Sequence, residues 1–495
     1  MKENKTKLSQ HILKKGKFIT PWNDAFGERL QLKSWANTRL PEYFWIGLIL
    51  NYYGREKSIN IFPPIFEKLK QIDDTISLPL FSKILDLPDD QQKDFYTFIC
   101  SIIDIDVFSP LTLLYTYSEY PIFTQYFCNT EIRFSERRNI LEDMLKKCYN
   151  SQTEFTTDIK YWVVFMVAKY HNIIFNSSCP ETMKALREYI LTSHNDEKMR
   201  TYRSLIRSLE AATSNLMSDN TNNTNFIDVF WKKMSSMSDC MLYSINFEVD
   251  NNKSKQYIEL LYKILCYLTD LYTSCMPLDN KMTTVLGIYT FAYKRILEIV
   301  ECNLYNTLSG RSSIRNLIEV YVTLKYLYQK ESENSQIWSE FQNYGIGQLK
   351  TIVTRFRDFE PKECNHVDCN LLEILVNDYK QEEFLDMDTS YFDKLSFRGK
   401  AEEVNEKELF GLYDYDSIYE HGLWGAIRES CMLNCNNPAH QYHCVPDCEN
   451  VQKLKSIWPD CVMLMNKILT LINSSYELPT TLIDEVKNFE TNNIN

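Results

Sequence analysis

The stretch "YIELLYKILCYLTDLYTSC", residues Tyr257–Cys275, decides the fold class. Its apolar side chains recur at intervals of three and four, the spacing that places them on one face of an α-helix. The segments Asn139–Tyr149 and Thr182–Ser193 show the same repeat. No clear alternation of apolar and polar residues is joined by a hairpin turn. The sequence therefore predicts a mainly α-helical protein.

Glycine is scarce, with 12 residues in a chain of 495. Glycine supplies the positive-φ positions of tight turns and of loops that surround phosphates. None of the sequences G-x-x-x-x-G-K-[ST], G-x-G-x-x-G, H-E-x-x-H and G-x-S-x-G occurs in the chain. Because these are the signatures of common nucleotide-binding proteins, zinc proteases and serine hydrolases, the sequence argues against those classes but not against enzymes in general.

The net charge of −12 gives no overall electrostatic attraction for nucleic acid. The first 17 residues carry six lysines and one glutamate but no apolar run, so they do not form a signal peptide. The longest apolar stretches are shorter than the ~20 residues that a membrane span needs. We expect a cytoplasmic protein with no membrane association, in which most of the 15 cysteines are reduced.

One change of composition divides the chain. The segment Ser214–Asn225 is rich in Asn, Ser and Thr and almost free of large apolar side chains, which is typical of a linker. We therefore predict an N-terminal helical array at residues 1–220, used for sensing or docking, and a C-terminal helical domain at residues 226–495. The chemically unusual residues lie in the second part.

A predicted helix at Leu308–Tyr328 carries charged residues next to its apolar face. Arg311, Arg315 and Glu319 are spaced by four, so they form a stripe along the helix. Because Arg and Glu are rarely buried unless they are paired, we expect Arg315 and Glu319 to pair and to face a groove between helices. The alternative is an ordinary salt bridge at the flank of the helix.

A second predicted helix, Asp416–Met432, places Ser417, His421, Trp424 and Arg428 on one face. A single histidine on such a face can be a hydrogen-bonded structural residue. It can also transfer protons near neutral pH, and a neighbouring arginine can bind phosphate through two hydrogen bonds. Both interpretations remain open from the residues alone.

The sequences "RSSIRNLIE" and "YDSIYEHG" on these two helices resemble an uncharacterised bacterial family of helical domains. That family has an Arg-x-x-x-Glu helix and a Ser-x-x-x-His helix and is similar to the HEPN superfamily (higher eukaryotes and prokaryotes nucleotide-binding). The resemblance covers residues 280–428. HEPN proteins are helical bundles, often homodimeric, and many are metal-independent ribonucleases of toxin–antitoxin or phage-defence systems. The resemblance thus implies an antiviral or toxin-type ribonuclease effector that binds RNA, requires no cofactor and has a protein partner such as an antitoxin.

The resemblance also implies roles for individual residues. The residues implied to be catalytic are His421, Arg315, Glu319 and Ser417. Those implied to bind substrate are Arg311 and Arg428. In this interpretation His421 is the base or acid, Arg315 binds the phosphate, Glu319 orients Arg315, and Ser417 supports the site by a hydrogen bond.

The chain departs from the HEPN pattern in one respect. Catalytic HEPN ribonucleases carry Arg and His four to six residues apart on one helix, whereas the nearest arginine before His421 is Arg398. The arginine of the site must therefore come from another helix, as Arg315 or Arg311. This departure supports an alternative function, a non-enzymatic helical scaffold that binds a protein or nucleic-acid partner.

A Cys/His-rich loop at about residues 431–448 follows the second helix. Its candidate metal ligands are Cys431, Cys435, His440, His443, Cys444 and Cys448. Thiolate and imidazole ligands at this density suit zinc, although no C-x-x-C pair is present. If a structural zinc ion binds here, we expect it to draw at least three of its ligands from these six residues. The alternatives are a redox role, or free thiols and hydrogen-bonded histidines without metal.

Overall fold

The computed structural model of the protein describes residues 8–21, 24, 34–170, 180–213, 224–248, 253–275, 279–357, 366–377 and 395–491. Within these ranges the chain is mainly α-helical, which confirms the predicted fold class. None of the described helices combines the length and the hydropathy needed to cross a membrane. Contacts divide the chain into two compact units, unit 1 (Met1–Leu242 and Cys435–His443) and unit 2 (Tyr243–Asn434 and Cys444–Asn495).

The described part of unit 1 begins with a small hairpin and continues as helices. The hairpin strands are β1 (Ile12–Lys14) and β2 (Lys17–Ile19), which pair antiparallel with Ile12 opposite Ile19. The helices are α1 (Leu40–Ile72), α2 (Phe81–Leu85), α3 (Asp89–Ile102), α4 (Pro121–Phe127), α5 (Phe134–Tyr149), α6 (Glu154–Tyr170), α7 (Pro180–Glu188), α8 (Met199–Thr213) and α9 (Thr224–Ser236). Short 3₁₀ turns lie at Leu8–Gln10, Ile105–Val107, Ser109–Leu113, Tyr189–Leu191 and Pro438–His440, and Trp35–Arg39 forms a π-turn. The sequence did not predict the hairpin, because three residues per strand are too few to establish an alternation.

The core of unit 1 is rich in aromatic side chains. Helix α1 bends at Gly54, whose φ is +76°, and its two arms contribute Trp45 and Phe62 to the core. Helix α9 buries Phe226 and Phe230 in the same core. The predicted boundary near residues 220–226 therefore precedes the observed division after Leu242, since α9 packs with the residues before it. Most of the predicted linker, residues 214–223, lies outside the described residues.

Unit 2 is a helical bundle with short strands. Its helices are α10 (Ser254–Cys275), α11 (Asn280–Glu301), α12 (Leu308–Lys330), α13 (Ile337–Arg357), α14 (Cys369–Asn377), α15 (Phe397–Glu403), α16 (Lys407–Glu420), α17 (Trp424–Cys431), α18 (Trp458–Ser475) and α19 (Thr480–Thr491). The strands β3 (Leu242–Tyr243), β4 (Met432–Cys435) and β5 (Cys444–Pro446) form a small sheet in that order, with Met432 opposite Pro446. Helix α12 packs against α11, α16 and α18, and it buries Leu317, Ile318 and Val322 in the core of the unit.

The predicted single helix at Asp416–Met432 is wrong, because it is broken after Glu420. His421 is the C-terminal cap of α16, and Gly422 has a φ of +57°. The amide of Gly422 donates to the carbonyl of Tyr419 (3.1 Å), and that of Leu423 donates to the carbonyl of Ile418 (2.9 Å). This pair of hydrogen bonds is a Schellman motif, which ends a helix at a glycine in the left-handed region. Side chains after His421 therefore do not continue the face that carries Ser417.

Candidate functional site

Arg315 connects α12 to α16. Its Nε donates to Ser417 Oγ at 3.0 Å, and its Nη2 donates to the Tyr413 hydroxyl at 2.6 Å. The guanidinium also lies 4.5 Å from the centre of the Tyr413 ring. The stripe predicted from the spacing on α12 thus faces α16 and brings Arg315 and Ser417 together. Tyr413 was not predicted as a site residue, although its spacing of four from Ser417 places both on one face of α16.

The predicted pair of Arg315 and Glu319 is present. Arg315 Nη1 lies 3.7 Å from Glu319 Oε2, a distance that allows ionic attraction but is too long for a good hydrogen bond. The Glu319 side chain is 44% exposed, so solvent screens the pair. Glu319 can therefore orient Arg315 only weakly, and Ser417 and Tyr413 hold the guanidinium more firmly.

His421 lies one helical turn beyond Ser417, at the exposed end of α16. Its backbone amide donates to the Ser417 carbonyl at 3.1 Å. The side chain faces solvent, and among the described residues its imidazole has no hydrogen-bond partner. The structure therefore holds Arg315 against Ser417, one helical turn before His421, but it does not fix the imidazole against another described side chain.

Arg311, which the resemblance assigned to substrate binding, is buried instead. Its Nη2 donates to the Lys455 carbonyl at 2.9 Å, and its guanidinium stacks near the rings of Tyr415 and Tyr419 at 5.4 and 5.7 Å. Only 7% of the residue is exposed. Arg311 thus holds helices together inside unit 2, because its position on α12 points more directly into the packed interior than that of Arg315.

The buried carboxyl group of Asp416 lies beside Arg311 but is poorly paired. The two side chains are 3.9 Å apart, and Asp416 Oδ1 has no hydrogen-bond partner among the described residues. Burial raises the pKa of Asp416 to about 7, and the nearby Asp460 adds to this effect while Arg311 opposes it. Near neutral pH this carboxyl group is therefore close to half protonated.

Arg428, the second predicted substrate-binding arginine, lies on α17 and not on the helix of Ser417. Its side chain is exposed, and its Nε donates to Asn434 Oδ1 at 3.2 Å. Trp424 at the start of α17 is 62% exposed. The turn at Gly422 separates both residues from α16, which removes the predicted alignment with His421.

Three of the six predicted metal ligands come together in unit 1. Cys435, His440 and His443 form a cluster with Cys240, in which the potential ligand atoms all lie within 4.8 Å of one another. Cys431, Cys444 and Cys448 are not members of this cluster. Cys240 was not predicted as a ligand, because it lies far from the other three along the chain and no neighbouring cysteine or histidine marks it.

Residues 289–440 match a family of unknown function (DUF5677). The match covers less than a third of the chain, and it includes α12 and α16 with Arg315, Ser417 and His421. No curated protein and no solved structure gives a significant match to the chain. The family match thus spans the candidate site and assigns no activity to it.

Proposed function

We propose that the exposed end of the α12–α16 pair binds and cleaves RNA without a catalytic metal ion, as in a HEPN-like ribonuclease. The observation that supports this function is the position of Arg315, which Ser417 and Tyr413 hold one helical turn before His421. The Nη1 of Arg315, which lies 3.7 Å from the solvent-screened Glu319 and makes no short hydrogen bond with it, is the nitrogen that can contact a phosphate group. The exposed His421, one helical turn beyond Ser417, can exchange protons with a ribose hydroxyl.

The chemistry needs a proton carrier and a cation. His421 as the base removes the proton from a ribose 2′-hydroxyl, whose oxygen then forms a bond to the adjacent phosphorus. The bond between phosphorus and the 5′-oxygen breaks, and that oxygen takes up a proton from a solvent water molecule as it leaves. Arg315 stabilises the negative charge that develops on the phosphate oxygens. The products are a 2′,3′-cyclic phosphate and a 5′-hydroxyl, and DNA is not a substrate because it lacks the attacking group.

Tyr413 supports the same site. Its hydroxyl oxygen accepts a hydrogen bond from Arg315, so its own proton is available to a phosphate oxygen. Partial burial raises the pKa of Tyr413, which keeps this proton in place at neutral pH. Ser417 instead donates to the backbone carbonyl of Tyr413 at 2.6 Å and accepts from Arg315, so its role is to position the arginine.

The biological setting belongs to the same proposal. A HEPN-like ribonuclease of this kind would act in the cytoplasm, as a homodimer, in prokaryotic defence or in a toxin–antitoxin pair with a protein partner. A second candidate function is a non-enzymatic scaffold that binds a protein or nucleic-acid partner. The observation that favours it is the His421 side chain, which no described residue holds in a defined orientation.

The test compares RNA cleavage by purified full-length variants in buffer without added divalent metal. Arg315→Ala and His421→Gln should each reduce the cleavage rate by about 100-fold or more, the usual effect of losing a proton-transfer or charge-stabilising group. The double variant should cleave RNA only slightly more slowly than the less active single variant, because both residues act on one phosphate. Arg355→Ala removes an exposed arginine of α13, outside this pair, and serves as the matched control. Equal rates in wild type and all four variants would exclude cleavage at this site and leave the scaffold.

A further inference from the structure

Four side chains converge in unit 1, outside the α12–α16 pair. Cys240 follows α9, whereas Cys435, His440 and His443 belong to the segment that returns to unit 1. Cys240 Sγ lies 3.4 Å from His440 Nδ1 and 3.3 Å from His443 Nε2. Cys435 Sγ lies 3.6 Å from His440 Nδ1, which is 3.2 Å from His443 Nε2. Two sulfur and two nitrogen atoms therefore surround one point.

These distances match the edges of a tetrahedral zinc site. Zinc binds imidazole nitrogen at about 2.0–2.1 Å and thiolate sulfur at about 2.3 Å, so tetrahedral angles give N···N edges of about 3.3 Å and N···S edges of about 3.6 Å. The observed N···N edge is 3.2 Å. The observed N···S edges are 3.3, 3.4 and 3.6 Å. Four of the six edges thus match a zinc tetrahedron, and the other two are no longer than 4.8 Å.

The surroundings of His440 place its lone pair toward the same point. Its Nε2 lies 3.0 Å from the Ser238 carbonyl oxygen and 3.2 Å from the Ser235 carbonyl oxygen. Carbonyl oxygens only accept hydrogen bonds, so Nε2 carries the hydrogen and Nδ1 is left unprotonated. A backbone carbonyl behind a metal-binding histidine is the usual way in which proteins fix its tautomer and orientation.

Two backbone amides donate hydrogen bonds to the buried sulfur of Cys435. The backbone amide of Met241 donates to its Sγ at 3.3 Å, and the amide of Asn437 donates at 3.5 Å. Cys435 is only 1% exposed. Because a buried negative charge is unfavourable without a cation or hydrogen bonds, two amide donors and a dication together make this position suitable for a thiolate.

We propose that Cys240, Cys435, His440 and His443 bind a structural zinc ion. Four protein ligands fill the tetrahedron, so the site has no open position for a substrate or a reactive water. Thiolate and imidazole ligands favour zinc over magnesium and calcium, which prefer oxygen. The ion fastens the segment 435–443 to the chain that follows α9, and it joins residues that are about 200 positions apart in the sequence. This inference is independent of RNA cleavage.

The test measures metal in the full-length protein, expressed with zinc in the medium and purified without chelator. Wild type should contain a stoichiometric amount of zinc, and Cys240→Ser should lose most of it. Cys302→Ser is the matched control, because it also removes an exposed cysteine but lies in unit 2, and it should keep its zinc. Absence of zinc from wild type, or equal zinc in wild type and Cys240→Ser, would overturn the proposal.

A second measurement uses only wild-type protein, so its result does not depend on whether the variant folds. Wild-type protein reloaded with Co²⁺ should show the visible absorption of a tetrahedral ion and the near-ultraviolet charge-transfer band of a cobalt–thiolate bond. Stoichiometric Zn²⁺ should remove both signals, because zinc binds such sites more tightly than cobalt does. A spectrum without the thiolate band, or with octahedral character, would refute the proposed ligand set without any substitution.

Discussion

Gly310 lies in the first turn of α12, where a methyl group has no room. A Cβ atom built on Gly310 would lie 2.1 Å from the backbone carbonyl oxygen of Leu304 and 3.3 Å from Ile457 Cδ1. The Leu304 carbonyl cannot simply turn away, because it accepts hydrogen bonds from the backbone amide and the hydroxyl of Thr307 at 3.3 and 3.1 Å. Thr307 is also the N-terminal cap of α12. Gly310→Ala must therefore move the start of the helix that carries Arg315.

The size of the effect follows from two opposing contributions. Carbon and oxygen would have to separate by about 1 Å or more to reach a normal contact. Inserting one carbon into packed structure costs about 1–3 kcal/mol, and the upper end applies here because the obstacle is backbone. Alanine in place of glycine returns about 1 kcal/mol through helix propensity. We expect Gly310→Ala to lower the free energy of unfolding of unit 2 by about 2 kcal/mol, which corresponds to roughly 4–8 °C in Tm.

Gly287→Ala is the matched control. Gly287 lies inside α11 of the same unit, and no heavy atom lies within 4 Å of a Cβ built on it. This variant should be more stable than wild type by about 0.5–1 kcal/mol. Thermal and urea unfolding of the three proteins, followed by circular dichroism, measures both changes. If Gly310→Ala is as stable as Gly287→Ala, the predicted clash between a Cβ at position 310 and the Leu304 carbonyl is refuted.

Two further predictions concern buried charges. Glu210 is fully buried and accepts a hydrogen bond from Arg39 at 2.6 Å. Glu210→Ala should therefore destabilise unit 1 by about 3–5 kcal/mol in urea unfolding. An effect below about 1 kcal/mol would contradict the buried pair. The pKa of Asp416 is raised from 3.8 to about 7, so the folded state holds this proton more tightly than the unfolded state does. The free energy of unfolding should therefore fall as the pH rises through this interval, by at most about 4 kcal/mol. Between pH 4 and pH 7, Asp416→Asn should become increasingly stable relative to wild type. If the difference in unfolding free energy between the two proteins stays the same from pH 4 to pH 7, the Asp416 carboxyl group is not responsible.

The helix of Arg315 and its ion pair were predictable from the sequence alone. A spacing of four places Arg315 and Glu319 on one stripe in any α-helix, so the prediction needed no knowledge of neighbouring helices. The contacts of Arg315 with Tyr413 and Ser417 were not predictable in this way. They depend on how α12 packs against α16, and spacing along one helix carries no information on which helix lies opposite.

The end of α16 at Glu420 is marked by a signal in the sequence. That signal is Gly422, which ends the helix by adopting a positive φ. A glycine directly after a residue that can cap a helix is the usual sequence sign of a helix end. Cys240 had no such local sign. Its partners Cys435, His440 and His443 are about 200 positions away in the sequence and approach it only in the folded chain.

The most direct test of the proposed function is the rate at which His421→Ala cleaves RNA. Wild type, His421→Ala and His366→Ala are compared on total RNA, with no divalent metal added. His366 is an exposed histidine of the same unit outside the α12–α16 pair, so its loss controls for removal of an imidazole. Wild type and His366→Ala should cleave at similar rates, and His421→Ala should be slower by about 100-fold or more. Full activity in His421→Ala would contradict the proposed function.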